Sequence, residues 1–250
     1  MLLDFLGRPP RHRYGSHRWA RADLYVPRGD GPFPVAVMLH GGYWRAKYSK
    51  RLMKAVSADL ARRGVAAWNV EYRRIGRGQG GGWPATFDDV GAAIDHLARL
   101  GDPRLDLDSV TAVGHSAGGQ LALWSASRRD AVVPVRRVVA QAAVCDVVAA
   151  GEPGWEFLGG TPEQVPERFA AADPMRLLPL GVPTLLVHGA DDETVPLMRS
   201  RRYLTAALEA GDDVSLLEPS PGGHRVHIDP RTAAWRMAAE WIAGPVRSPA

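Results

Sequence analysis

A β-branched run, Val110-Thr111-Ala112-Val113, leads directly into Gly114-His115-Ser116-Ala117-Gly118. No other feature constrains the chain as much. The five residues match G-x-S-x-G, a sharp strand-to-helix turn that lifts a serine hydroxyl above the end of a parallel sheet. Glycines on either side of the serine allow a backbone approach that a larger side chain would block. Gln120 to Ala126 then reads as helix, so the strand, turn and helix that give the motif meaning are all present. A serine hydroxyl is a weak nucleophile near neutral pH. The pattern therefore predicts a base and an acid further along the chain.

Alternating apolar strands and helical periods surround the motif and predict an α/β fold. In this reading a mainly parallel central sheet is covered by helices on both faces. Strands are expected at His17–Val26 (an edge), Phe33–His40, Val65–Val70, the run before Ser116, Val135–Val144, Pro183–His188 and around Val214–Leu217. Helices are expected over 49–63, over 86–100 with Phe87, Val90, Ile94 and Leu97 on one face, after Ser116, over 197–210 and over 230–242. Residues 146–180 are rich in Pro and Gly and read as an irregular excursion that caps the sheet. The segment 76–82 reads as a glycine loop. One domain spanning residues 1–250 follows.

Composition narrows the function classes. Apolar residues make up 46% and charged residues 23%, with a net charge of only +4, as in ordinary soluble proteins. The arginines are dispersed rather than clustered, which argues against a nucleic-acid surface. The single cysteine, Cys145, permits no intrachain disulfide and no cysteine metal cluster, and it falls beside a buried apolar run. Met1 to Gly7 is too short for a secretory apolar region, and no run reaches membrane-spanning length. A cytoplasmic location is the expectation. The 8 histidines are dispersed and no G-x-x-x-x-G-K-S/T is present, so neither a metal nor another cofactor is expected. A small-molecule substrate is the expected partner, and a homodimer stays open.

The base and acid have clear candidates. His188-Gly189-Ala190-Asp191-Asp192-Glu193 follows one strand, and Gly222-Gly223-His224 follows the last. Both segments leave carboxyl ends of strands, where sheets of this type place their sites. The order is serine, acid, histidine.

With these residues in view, the sequence resembles the α/β-hydrolases, and among them the small carboxylesterase and kynurenine-formamidase-like (arylformamidase) group. His40-Gly41-Gly42-Tyr43-Trp44 is similar to that group's H-G-G-x-W. Gly114 to Gly119 is similar to G-H-S-A-G-G, and His188 to Pro196 to H-G-x-x-D-x-x-V-P. The likeness runs over about residues 15 to 243. It implies Ser116 as nucleophile, Asp192 as the acid and His224 as the base. Asp191 is the second candidate acid and His227 the second candidate base, because Arg225 stands where the group has Phe. Glu193 reads as a solvated turn residue.

The oxyanion hole is expected from the amides of Ala117, Gly42 and Tyr43, with Gly41 permitting the turn. The resemblance makes His40 a brace for that loop, and His115 and His188 read as structural. Trp44, Trp83, Trp155 and Phe157 together suggest an aromatic-walled pocket. The expected chemistry is hydrolysis of a small ester or activated amide through an acyl-enzyme. Arylformamidase action on N-formylkynurenine is a narrower alternative, and a non-catalytic binding module on the same fold is an alternative of another class.

Overall fold

A computed structural model of the chain describes residues 9–220 and 222–245. The expectation about Met1 to Gly7 therefore lies outside the described residues. Among the described residues there are eight strands: β1 (Arg11–Arg13), β2 (Arg21–Tyr25), β3 (Phe33–Leu39), β4 (Ala66–Glu71), β5 (Leu105–His115), β6 (Arg137–Gln141), β7 (Thr184–Val187) and β8 (Val214–Leu217). They form a single sheet in the order β1-β2-β4-β3-β5-β6-β7-β8. The pairs β1–β2 and β2–β4 are antiparallel, and every pairing from β4 through β8 is parallel. This is the α/β-hydrolase fold.

Strand side chains alternate between the two faces, and the core divides accordingly. Val35, Val37 and Leu39 of β3 face one layer, whereas Ala36 and Met38 face the other. Helices α2 (Ala85–Leu100), α3 (Ala117–Ala126) and α6 (Met198–Glu209) cover the first face; α1 (Lys54–Arg62) and α7 (Ala233–Ala243) cover the second. Phe87, Val90, Ile94 and Leu97 all point from α2 into the core. That helix stops at Gly101, whose φ of 59° is a left-handed cap that a larger residue disfavours.

Three expectations are revised. The edge strand predicted over 17–26 is a hairpin: residues 16–19 turn, with Ala20 N–H donating to His17 O at 3.1 Å, so the alternation there belongs to a turn. The strand before Ser116 begins at Leu105. Leu105 and Asp106 pair with Phe33 and Pro34 ahead of a register shift at Pro34/Val35, and the intervening acidic residues disguise that start. The excursion over 146–180 is not wholly irregular. It contains α4 (Glu152–Leu158), α5 (Pro166–Ala172) and a turn of 3₁₀ helix over Pro174–Arg176. Their Phe157, Leu158, Phe169 and Ala172 side chains are fully buried.

Candidate active site

The parallel strands place four loop segments at one edge of the sheet, and the predicted residues lie on them. Ser116 follows β5 with φ 55° and ψ −121°. A non-glycine residue held there carries roughly 1–3 kcal/mol of strain. Its surroundings fix it: its N–H donates to Gln141 O at 2.8 Å and its carbonyl accepts from Val144 N at 3.2 Å. The tightness of the turn explains the glycines. A Cβ on Gly114 would overlap the Gly118 carbonyl, and one on Gly118 would overlap the Leu39 carbonyl.

His224 Nδ1 lies 2.8 Å from Asp192 Oδ2. The other Asp192 oxygen accepts the amides of Thr194 at 2.8 Å and Val195 at 2.9 Å. The Asp192 side chain is inaccessible to solvent, and His188 Nε2 stands 3.3 Å from its Oδ2. Burial alone would raise this carboxyl's pKa. Hydrogen bonds from His188, His224 and the two amides outweigh it and hold the group well below the usual carboxylate range. Asp192 is thus a fixed anion that orients the His224 ring.

The alternative acid and base candidates make other contacts. Asp191 is exposed and accepts Gly222 N–H at 3.1 Å, pinning the loop that carries His224. His227 is fully buried, and its Nε2 accepts the Gly189 amide at 3.3 Å. Neither reaches the His224–Asp192 pair. Glu193 is exposed.

Residues 40–44 wrap the serine from the β3 side. A Cβ on Gly41 would come within 2.6 Å of His115 O and 2.9 Å of Ser116 Cβ. Tyr43 and Trp44 both have φ of 54°, two successive strained residues. Trp44 is anchored by burial, by its Nε1 donating to Gln120 Oε1 at 3.2 Å and by stacking on Phe157 at 4.3 Å. His40 braces the loop from below. It is buried, stacks on Tyr72 at 4.2 Å, and sets Nε2 at 3.0 Å from Glu71 Oε1. Ala117 opens α3, so its amide is among the helix N–H groups that lack an intrahelical partner.

His115 and His188 are structural in the same sense. His115 Nε2 donates to His224 O at 2.8 Å, and burial, followed by the neighbouring His224, pushes its pKa down to about 3. His188 Nδ1 accepts from Ser200 Oγ at 2.7 Å, and its Nε2 donates to Val195 O at 2.8 Å.

Ser116 and His224 line one cleft of about 230 Å³, together with Gly42, Tyr43, Tyr48, Leu52, Thr194 and Arg225. A smaller cleft of about 140 Å³ adjoins it across Tyr43, walled by Trp44, Cys145, Asp146 and Pro153. The aromatic pocket requires correction. Of the four residues expected to line it, only Trp44 lines either of these two clefts. Phe157 is fully buried against Trp44 and Phe87, Trp83 packs on Phe87 at 5.1 Å, and Trp155 lies at the surface. The Phe157 ring fastens α4 to the core. Tyr48, Leu52 and Thr194 line the cleft without any sequence signal beyond proximity to the motifs. Arg225 was marked only by its departure from the group's Phe.

The sequence model of the BD-FAE family matches residues 22–208. The chain belongs to the BD-FAE family. Esterase LipQ of Mycobacterium tuberculosis (strain ATCC 25618 / H37Rv) is 26% identical over 245 residues, covering 90% of this chain. The chain spans 57% of that relative's length. Among solved structures, a truncated form of a carbohydrate esterase from gut microbiota superposes with a TM-score of 0.80 at 19% identity, covering 94% of this chain and 95% of its own. Esterase Est2 of the Planctomycetes species Thermogutta terrifontis gives 0.76 at 20% identity, covering 93% and 89%. These structural likenesses establish the fold that the BD-FAE chain shares with them. No helix among the described residues is long and apolar enough to cross a membrane.

Proposed function

We propose that this BD-FAE protein is a serine carboxylesterase acting on small esters. Ser116 is its nucleophile, His224 its general base and acid, and Asp192 the group that holds the His224 tautomer. The observation that carries the reading is the 2.8 Å contact between His224 and buried Asp192, on a cleft that also contains Ser116. In this mechanism the His224 ring takes the Ser116 proton as the hydroxyl oxygen attacks the ester carbonyl. The tetrahedral oxyanion is met by the amides of Ala117 and of Gly42 or Tyr43, each worth about 3–4 kcal/mol. His224 then protonates the departing alcohol, and a water activated by the same ring releases the acid.

The named relatives are esterases, which supports ester over formamide cleavage; arylformamidase activity gains no support from them. The intact serine, acid and histidine set argues against a non-catalytic module. The buried, unpaired Cys145 thiol suits a reducing compartment such as the cytoplasm. The deciding test is hydrolysis of p-nitrophenyl acetate and covalent labelling by a fluorophosphonate, in wild type and Ser116→Ala. Wild type is expected to be active and labelled, and the variant folded, inactive and unlabelled. A variant that still turns over ester removes Ser116 from this role.

A further inference from the structure

The two clefts at the site divide an ester between them. His224 has to protonate the departing alcohol, so the alcohol lies on the His224 side of Ser116. The larger cleft contains both Ser116 and His224. The smaller, of about 140 Å³, contains neither and meets the larger at Tyr43 and Thr194. With the alcohol in the larger cleft, the acyl chain is left to run past Tyr43 and Thr194 into the smaller one. At about 30 Å³ for each water-sized group, that space takes a chain of roughly four or five non-hydrogen atoms. Trp44, Val144 and Pro153 give it apolar walls.

A charged pair interrupts those walls. Asp146, beyond the end of β6, and Arg199, on α6, line the smaller cleft and not the larger. One backbone unit fixes both. Asp146 Oδ1 accepts the Ala149 amide at 2.7 Å, and Arg199 Nη2 donates to the Ala149 carbonyl at 2.9 Å. The atoms left over, Arg199 Nη1 and Asp146 Oδ2, stand 3.9 Å apart. That gap is too wide for a hydrogen bond, and neither atom has a closer polar partner among the described residues. The two side chains are 29% and 25% exposed, so a group in the cleft can reach them. One oxygen set about 2.8 Å from each atom would bridge the gap. It has to accept from Nη1 and donate to Oδ2. A hydroxyl does both; a carbonyl, a carboxylate or an ammonium does not.

On the serine esterase reading above, we propose that the smaller cleft is the acyl subsite and that Asp146 and Arg199 select short acyl groups carrying a hydroxyl. An alkyl chain of the same length displaces water from the pair and returns no hydrogen bond to it. A carboxylate end is drawn to Arg199 and repelled by Asp146, and an ammonium end the reverse, so both charged ends are disfavoured against the neutral hydroxyl. Because Ala149 already holds the two side chains, little ordering accompanies binding.

The test is hydrolysis by the wild-type chain of the p-nitrophenyl esters of butyrate, 3-hydroxybutyrate and hexanoate, each rate divided by that ester's rate with hydroxide. The kcat/KM for 3-hydroxybutyrate is expected to exceed that for butyrate by about 10-fold or more, as for a hydrogen bond to a charged group, and hexanoate to be poorer than butyrate. Arg199→Met removes Nη1, and Asp146→Asn keeps the Ala149 contact but replaces the charged acceptor. Each is expected to lower the hydroxybutyrate-to-butyrate ratio by about 3-fold or more. Fluorophosphonate labelling keeps the subsite apart from the chemistry itself. An unlabelled and inactive wild type removes the serine mechanism. A labelled, active wild type with a ratio near 1, or with hexanoate faster than butyrate, overturns the subsite without needing any variant. A ratio unchanged in either labelled variant overturns it as well.

Discussion

Asp192 presents one carboxylate oxygen to His224 at 2.8 Å and the other to the Thr194 and Val195 amides, so neither oxygen is free to turn. The pairing gives the imidazole a single orientation and the tautomer with its proton on Nδ1. Asp192→Asn keeps the shape but loses the charge that favours this tautomer. Removing the carboxylate charge in such a triad costs about 10⁴-fold in kcat, and kcat for p-nitrophenyl acetate is expected to fall by that order with KM little changed. Asp191→Asn makes the control. Asp191 contacts only the Gly222 backbone, and its loss should cost about 1 kcal/mol of stability and less than ten-fold in rate. Steady-state kinetics of both variants would tell; a larger rate loss in the Asp191 variant reverses the assignment.

A methyl group at the turn is expected to be far more damaging than its size suggests. At Gly118 a Cβ would overlap the Leu39 carbonyl, and at Gly119 it would meet Ala143 Cβ at 2.5 Å. In the first case the obstacle is backbone of the central strand β3, which has nowhere to go. Gly118→Ala should therefore lower stability by about 3 kcal/mol or more, or abolish folding. Gly101→Ala, where nothing lies within 4 Å of the added carbon, costs only the left-handed backbone penalty of about 1–2 kcal/mol. Urea unfolding of the two proteins separates steric overlap from strain.

How much of this was legible beforehand depended on whether a residue's role is local or spatial. Ser116, Asp192 and His224 each sit in a turn with its own signature, so the sequence marks them. The sheet between was legible because β3, β4 and β6 are buried on both faces and read as continuous apolar runs. The β1–β2 hairpin was not, since its turn contains the same polar and apolar alternation as a strand. The four aromatics failed for a different reason. Trp83, Trp155 and Phe157 are near the site in sequence pattern alone, and a large ring looks the same whether it lines a pocket or clamps a helix.

The clamp reading of those aromatics separates Phe157 from Trp155, two residues apart on α4. Phe157 is fully buried and stacked on Trp44, whereas Trp155 is 36% exposed. Phe157→Ala should cost about 3–5 kcal/mol and, by releasing Trp44, loosen the loop that holds Gly42 and Tyr43. Trp155→Ala should change stability by less than about 1 kcal/mol and leave KM for small esters unaltered. Thermal unfolding together with KM for both variants is the measurement, and a marked rise in KM for the Trp155 variant would restore it to the substrate pocket.

Acid stability should depend on two histidines the mechanism does not use. Burial first, then neighbouring histidines, pushes His115 and His227 from an ordinary 6.5 down to about 3. Because each folded pKa lies below the unfolded one, the unfolded chain takes up the proton first as the pH falls. The stabilising effect of keeping these rings neutral is whole above about pH 6.5 and drains away between there and about pH 3. Each ring contributes a slope of up to about 1.4 kcal/mol per pH unit. Asp192 acts in a lower window: its depressed pKa confers stability above about 3.8, which is lost only as the pH falls below that. Between pH 5 and 6.5 the two histidines should therefore account for much of the slope. In His227→Gln an amide oxygen can still accept the Gly189 N–H, and no proton is taken up. Its stability measured by urea unfolding across that range should fall less steeply than that of the wild type, while an unchanged slope would mean that His227 is protonated in the folded state after all.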